Sequence, residues 1–164
     1  MVVIESLDGT KRDINCIGCA LQKGKIKRLG DIVAETQNFV VEQDYEIPIP
    51  GFLVISSKRH IIGFADFNEN EKKEFIDLIC KLRKSMLDAL DIKFVNYLCR
   101  EDTIDSKTNP SHFHMALLPI YDWMKKYANT IEILEYSKNN MKTKDNLDNI
   151  KKSMLKIRSY LKKL

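Results

Sequence analysis

"PSHFHMALLP", residues 110–119, holds two of the chain's three histidines, two positions apart in a run that otherwise reads as a buried strand. On a strand, alternate residues share a face. Phe113, Met115 and Leu117 therefore point one way, and His112, His114, Ala116 and Leu118 the other. The first set is expected to pack under helices. A single histidine on a buried face is ordinarily a satisfied core residue. Two at i and i+2, with Cα atoms roughly 7 Å apart, fit a metal site or nucleophilic and acid–base chemistry, because neutral imidazole is both a ligand and a nucleophile near pH 7.

Working outward, "IKFVNYLCRE" (92–101) reads as a strand, and a polar loop containing Pro110 joins it to the histidines. Upstream, Phe75, Ile79, Leu82, Met86 and Leu90 recur at steps of three and four, the apolar face of a helix ending near residue 90. Asn68 followed by Glu71 has capping-box spacing at its start. "ETQNFVVEQDYE" (35–46) reads as a strand, "IPIPG" as a turn, and "FLVISS" (52–57) as its antiparallel neighbour. Residues 121–140 carry no decisive pattern. Leu147, Ile150, Met154, Ile157, Leu161 and Leu164 define a final amphipathic helix with Thr143 as its cap.

A chain of 164 residues with 44% apolar and 30% charged content predicts one globular domain over 1–164. No apolar run approaches the roughly 20 residues of a membrane helix, and the N-terminus lacks a secretory pattern. A cytoplasmic protein with no membrane partner is expected. The formal charge of +4 is local. Residues 141–164 carry eight Lys and Arg against two Asp, which leaves the remainder at −2. That distribution argues against a nucleic-acid partner, whose footprint runs along a face of the domain. The basic face of the last helix is a solvated face or a phosphate-attracting rim.

Cys16 and Cys19 form a CxxC, while Cys80 and Cys99 stand alone. The pair reads as a metal knuckle, a redox pair or a structural feature. The redox reading calls for a strand before the motif, and the sequence shows no strong one there.

In combination these pieces resemble the histidine-triad family of nucleotide hydrolases and transferases. The family signature alternates three histidines with apolar residues, and "HFHMALLP" matches it except at Ala116, where the third histidine belongs. The knuckle "CIGC", the stretch "QDYEIPIPGFLVISSKRH", the amphipathic helix and a strand carrying Asn96 precede it in the family's order. The match spans 16–119. It implies an α+β fold with a five-stranded antiparallel sheet and a long packed helix, to which the C-terminal amphipathic helix is added here. It also implies a homodimer.

The resemblance further implies that His114 attacks the α-phosphorus of a nucleotide or dinucleotide substrate, such as a dinucleoside polyphosphate, through a covalent nucleotidyl-histidine. Structural zinc is implied at Cys16, Cys19, His60 and His112. Ribose contact is implied for Asp44, and phosphate-side contacts for Asn96, Ser106 and Asn109. Arg100 is either a phosphate contact or a surface residue, and Ile120 stands where many members have arginine. Ala116 cannot donate a proton, so two readings stand side by side: a hydrolase or nucleotidyltransferase, and a catalytically weak nucleotide-binding or regulatory protein. A zinc-stabilised interaction module is the third.

Overall fold

The computed structural model describes residues 2–5, 11–14, 16–25, 32–99, 101 and 112–163. Ser106 and Asn109, together with Arg100, lie outside them. Strands β1 (Val2–Glu5) and β2 (Lys11–Ile14) pair antiparallel, and α1 (Ile17–Gln22) follows. The main sheet contains β3 (Ala34–Glu35), β4 (Phe39–Gln43), β5 (Leu53–Ser57), β6 (Phe94–Cys99) and β7 (His114–Ile120), in the order β3-β4-β5-β7-β6. All of its pairings are antiparallel. The helices are α2 (Glu69–Ala89), α3 (Thr130–Asn140) and α4 (Lys144–Leu161). The α+β architecture with five antiparallel strands is the one expected.

The predicted 35–46 strand is two strands. Thr36 and Asn38 break it: the Thr36 hydroxyl accepts the Phe39 N–H at 3.0 Å, and the Thr36 amide donates to the Phe39 carbonyl at 2.9 Å, closing a hairpin. Such local side-chain bonding competes with continuous pairing. Pro50 and Gly51 make the next turn, where the Phe52 N–H reaches the Ile49 carbonyl at 3.0 Å. Gly51 has φ +73°, the left-handed position a type II turn requires.

One sheet face carries Phe39, Val41, Ile55, Met115 and Leu117 against α2 and α4. Phe39, Phe67, Phe75 and Phe113 interlock there with ring centroids 4.7–5.5 Å apart. The α2 start is the expected capping box, Asn68 with Glu71, and Thr143 caps α4. The other face carries Ala116 and Leu118, covered by Phe52, Met124 and Ile133. Met124 belongs to the 3-10 turn Asp122–Lys126, and Ile133 to α3. This undecided segment is thus a short lid over the lower half of the histidine face. His114, at the upper end, stays exposed. No helix among the described residues is long and apolar enough to cross a membrane.

Candidate metal centre and active-site face

Cys16 is the N-cap of α1, and its sulfur accepts the Cys19 N–H at 3.4 Å. A helical first turn therefore places both thiols at one point. A strand does precede the motif: β2 ends at Ile14. The strand–CxxC–helix order that the sequence does not reveal is present, yet the thiols face imidazoles. Cys16 Sγ lies 3.6 Å from His60 Nδ1 and 3.5 Å from His112 Nδ1. Cys19 Sγ lies 3.4 Å and 3.6 Å from the same atoms. Burial pushes the Cys19 thiol up and, with partial compensation from the Ser57 carbonyl, pushes His112 down.

Two connections bring residues so far apart in sequence together. Phe113 N–H donates to the Ile61 carbonyl at 2.7 Å, laying the start of β7 beside the segment that carries His60. Arg59 grips the buried carboxylate of Glu71 with bonds of 2.6 and 2.7 Å, fastening that same segment to the first turn of α2. The Arg59 guanidinium holds the Glu71 carboxyl below the usual range.

These distances fit a tetrahedral ion. With metal–sulfur and metal–nitrogen bonds of about 2.3 and 2.0 Å, a sulfur–nitrogen edge is roughly 3.5 Å, and all four ligand atoms here lie within 4.8 Å of one another. The tautomer fits too. His112 Nε2–H donates to the Ser57 carbonyl at 2.8 Å, which leaves the Nδ1 lone pair toward the thiols. Such outer bonds fix ligand orientation.

Gly18 explains why the knuckle is CIGC. A Cβ at this position would stand 2.4 Å from His112 Cγ. We expect Gly18→Ala to displace the imidazole, lower the melting temperature by about 4–10 °C and reduce bound metal. Thermal denaturation with metal analysis checks this; full metal content at unchanged stability contradicts it.

The second histidine is anchored differently. His114 Nδ1–H donates to the His112 carbonyl at 2.9 Å, so Nε2 carries the free lone pair on an exposed ring. Its cross-strand partner is Ser56. Ala116 lies between Val54 and Leu98 in an apolar patch.

Asp44 is half-buried at the end of β4, where Oδ1 accepts the Glu46 and Ile47 N–H groups at 2.8 and 2.6 Å. Burial pushes its carboxyl up to about 6 despite those bonds, with His114 contributing weakly in the other direction. The charged form is therefore disfavoured in the fold. The cost is absent below the ordinary value of 3.8, grows through the interval, and is complete above about 6. Asp44→Asn keeps the Oδ1 acceptor and removes the charge. It is expected to raise the melting temperature at pH 7.5 by about 3–6 °C and by nearly nothing at pH 4. An equal shift at both pH values counts against a buried charge.

Asn96 lies on the sheet face that carries His114. It pairs with Leu118, four residues along β7 from His114 and roughly 13 Å away.

No family model matches the sequence, and no curated protein matches it. Solved structures match in shape. A zinc-bound histidine triad family protein from Mycobacterium smegmatis is 15% identical, with a TM-score of 0.64, over 90% of this chain and 94% of that one. A hypothetical histidine triad nucleotide-binding protein from Sulfolobus tokodaii is 17% identical, with a TM-score of 0.63, over 91% and 93%. A HIT family protein from Bacillus anthracis is 20% identical, with a TM-score of 0.57, over 83% and 92%. These likenesses establish that the chain has the histidine-triad fold.

Proposed function

We propose that this chain is a histidine-triad nucleotide hydrolase or nucleotidyltransferase that works through His114. The observation that carries the reading is the His114 clamp: Nδ1–H is held by the His112 carbonyl, which leaves the Nε2 lone pair free on an exposed ring. The Nε2 lone pair attacks the α-phosphorus. The bond from phosphorus to the leaving-group oxygen breaks, and its electron pair departs on that oxygen. Water then attacks the phosphorus, the phosphorus–nitrogen electrons return to Nε2, and one water proton passes to solvent. A second nucleophile in place of water gives transfer. Neutral imidazole suits this role because it is basic enough to attack and leaves readily as an adduct.

Asp44, at the end of β4 and electrostatically coupled to His114, is the ribose contact in this reading. Its protonated share near pH 6 is a donor, and its ionised share an acceptor. Zinc at Cys16, Cys19, His60 and His112 would fasten α1 to the sheet; a closed site of this kind is structural. The M. smegmatis protein, zinc-bound and of the same fold, is consistent with that.

The test is incubation with a radiolabelled dinucleoside polyphosphate, acid-free trapping, and mapping of the adduct to His114. A second reading, a nucleotide-binding protein of little activity, draws on Ala116. It predicts stabilisation by AMP with no adduct.

The reading includes a homodimer. In the described sheet the outer edge of β6 is unpaired, and Phe94 and Tyr97 on it are 60% and 42% exposed. An open edge bearing aromatics invites pairing with another strand. Sedimentation is expected to give twice the 19.1 kDa chain mass. A monomer at micromolar concentration would remove the dimer from the proposal.

A further inference from the structure

We infer that Ser56 supplies a hydrogen bond to the phosphoryl group in transit, filling the gap left by Ala116; the inference rests on the His114 reading above. Ser56 sits on β5 directly across from His114, so the two side chains share a face. Directly opposed residues in antiparallel strands have Cβ atoms about 5 Å apart. A phosphoryl group on Nε2 would be carried on that same face, beside the Ser56 side chain.

Among the described neighbours this hydroxyl stands out. Along the same face, Ala116 is flanked by Val54 and Leu98, and Ser56 by Val40 on its far side. None of these offers a side-chain donor. Ser57, next in sequence, faces the other way and is committed: its hydroxyl donates to the Arg59 carbonyl at 2.9 Å and lies 3.2 Å from His112 Nε2. Ser56 is 2% exposed and makes no side-chain hydrogen bond among the described residues. A ligand oxygen at His114 would give that hydroxyl a partner.

The chemistry selects the substrate class. A serine hydroxyl is too weak an acid to protonate a departing amine, but it can stabilise charge on phosphoryl oxygens by donating a hydrogen bond. No proton changes owner. Such help suffices when the leaving group is a weakly basic phosphate anion and fails when it is an amine. The site is thereby matched to phosphoanhydrides such as dinucleoside polyphosphates, and not to phosphoramidates.

The experiment compares the parent protein, Ser56→Ala and Ser56→Thr on a diadenosine polyphosphate, with melting temperature and AMP binding measured alongside. Ser56→Ala removes one oxygen and is expected to fold. Its kcat should fall on the order of 10²-fold with KM and AMP affinity nearly unchanged, and Ser56→Thr should recover part of the loss. Parent-level kcat in Ser56→Ala overturns the role of Ser56 and leaves His114 standing. Equal loss in KM and AMP binding shows a purely structural role and overturns it too. A parent protein that forms no adduct on His114 overturns both readings together.

Discussion

Stripping zinc is expected to lower the melting temperature by about 10 °C or more, corresponding to roughly 3–5 kcal/mol for a domain of this size. Helix α1 has six residues, far short of the roughly 12–15 needed for even marginal independent helicity. Its apolar support is small: Ala20 and Leu21, with Ile17 and Tyr45 beside them. In the proposed reading four ligand bonds would add to this contact in tying α1 to the sheet, and ligand binding in such sites is itself folding free energy. The purified protein should carry about one zinc per chain. His60→Ala and His112→Ala should both lose it. His112→Ala should be the more destabilised, because His112 is buried and also donates to Ser57 whereas His60 is exposed. Metal analysis with calorimetry checks the set. Metal-free protein melting at the same temperature as the loaded form would remove zinc from the structure.

His114→Ala is expected to reduce turnover by roughly 10⁴-fold or more, the order lost when a covalent nucleophile is deleted, and to abolish the adduct. The ring is exposed, so no cavity forms and the melting temperature and zinc content should stay within error. That separation is the diagnostic. His112→Ala should lose metal and stability while the protein that remains folded still forms adduct, because the His114 anchor is the residue-112 carbonyl and not its side chain. The measurement is single-turnover adduct formation at equal folded concentration. Substantial turnover by His114→Ala would disprove the mechanism.

The period-two alternation of 112–118 made the two faces of β7 legible, since Phe113 and Leu117 fall in one core and Ala116 and Leu118 in the other. The α2 and α4 caps were equally legible, because caps are local chemistry. The CxxC spacing pointed to a knuckle, but its meeting with His60 and His112 was not readable from spacing: these imidazoles lie 41 to 96 positions from the thiols, and only the family resemblance joined them. The distance of Asn96 from His114 was not legible either. Its strand was recognised, but register depends on pairing geometry that one strand's composition does not encode. Ser56 and Gly18 went unread for a related reason. Each matters through what stands across from it, His114 in one case and the His112 ring in the other. Residues 121–140 were undecided because a 3-10 turn and an eleven-residue helix are too short to show a clear period.

His112 divides its labour by atom type. The side chain turns to the thiols, and the main chain holds the tautomer of His114. Any amino acid at that position would supply the same carbonyl. For protein engineering this makes the dyad portable in an asymmetric way. A zinc-independent version is reached by replacing the four ligands with well-packed apolar side chains while the backbone of β7 is left alone. A graft onto a foreign sheet has to transplant the strand geometry first and the second histidine next, and can leave the first imidazole behind.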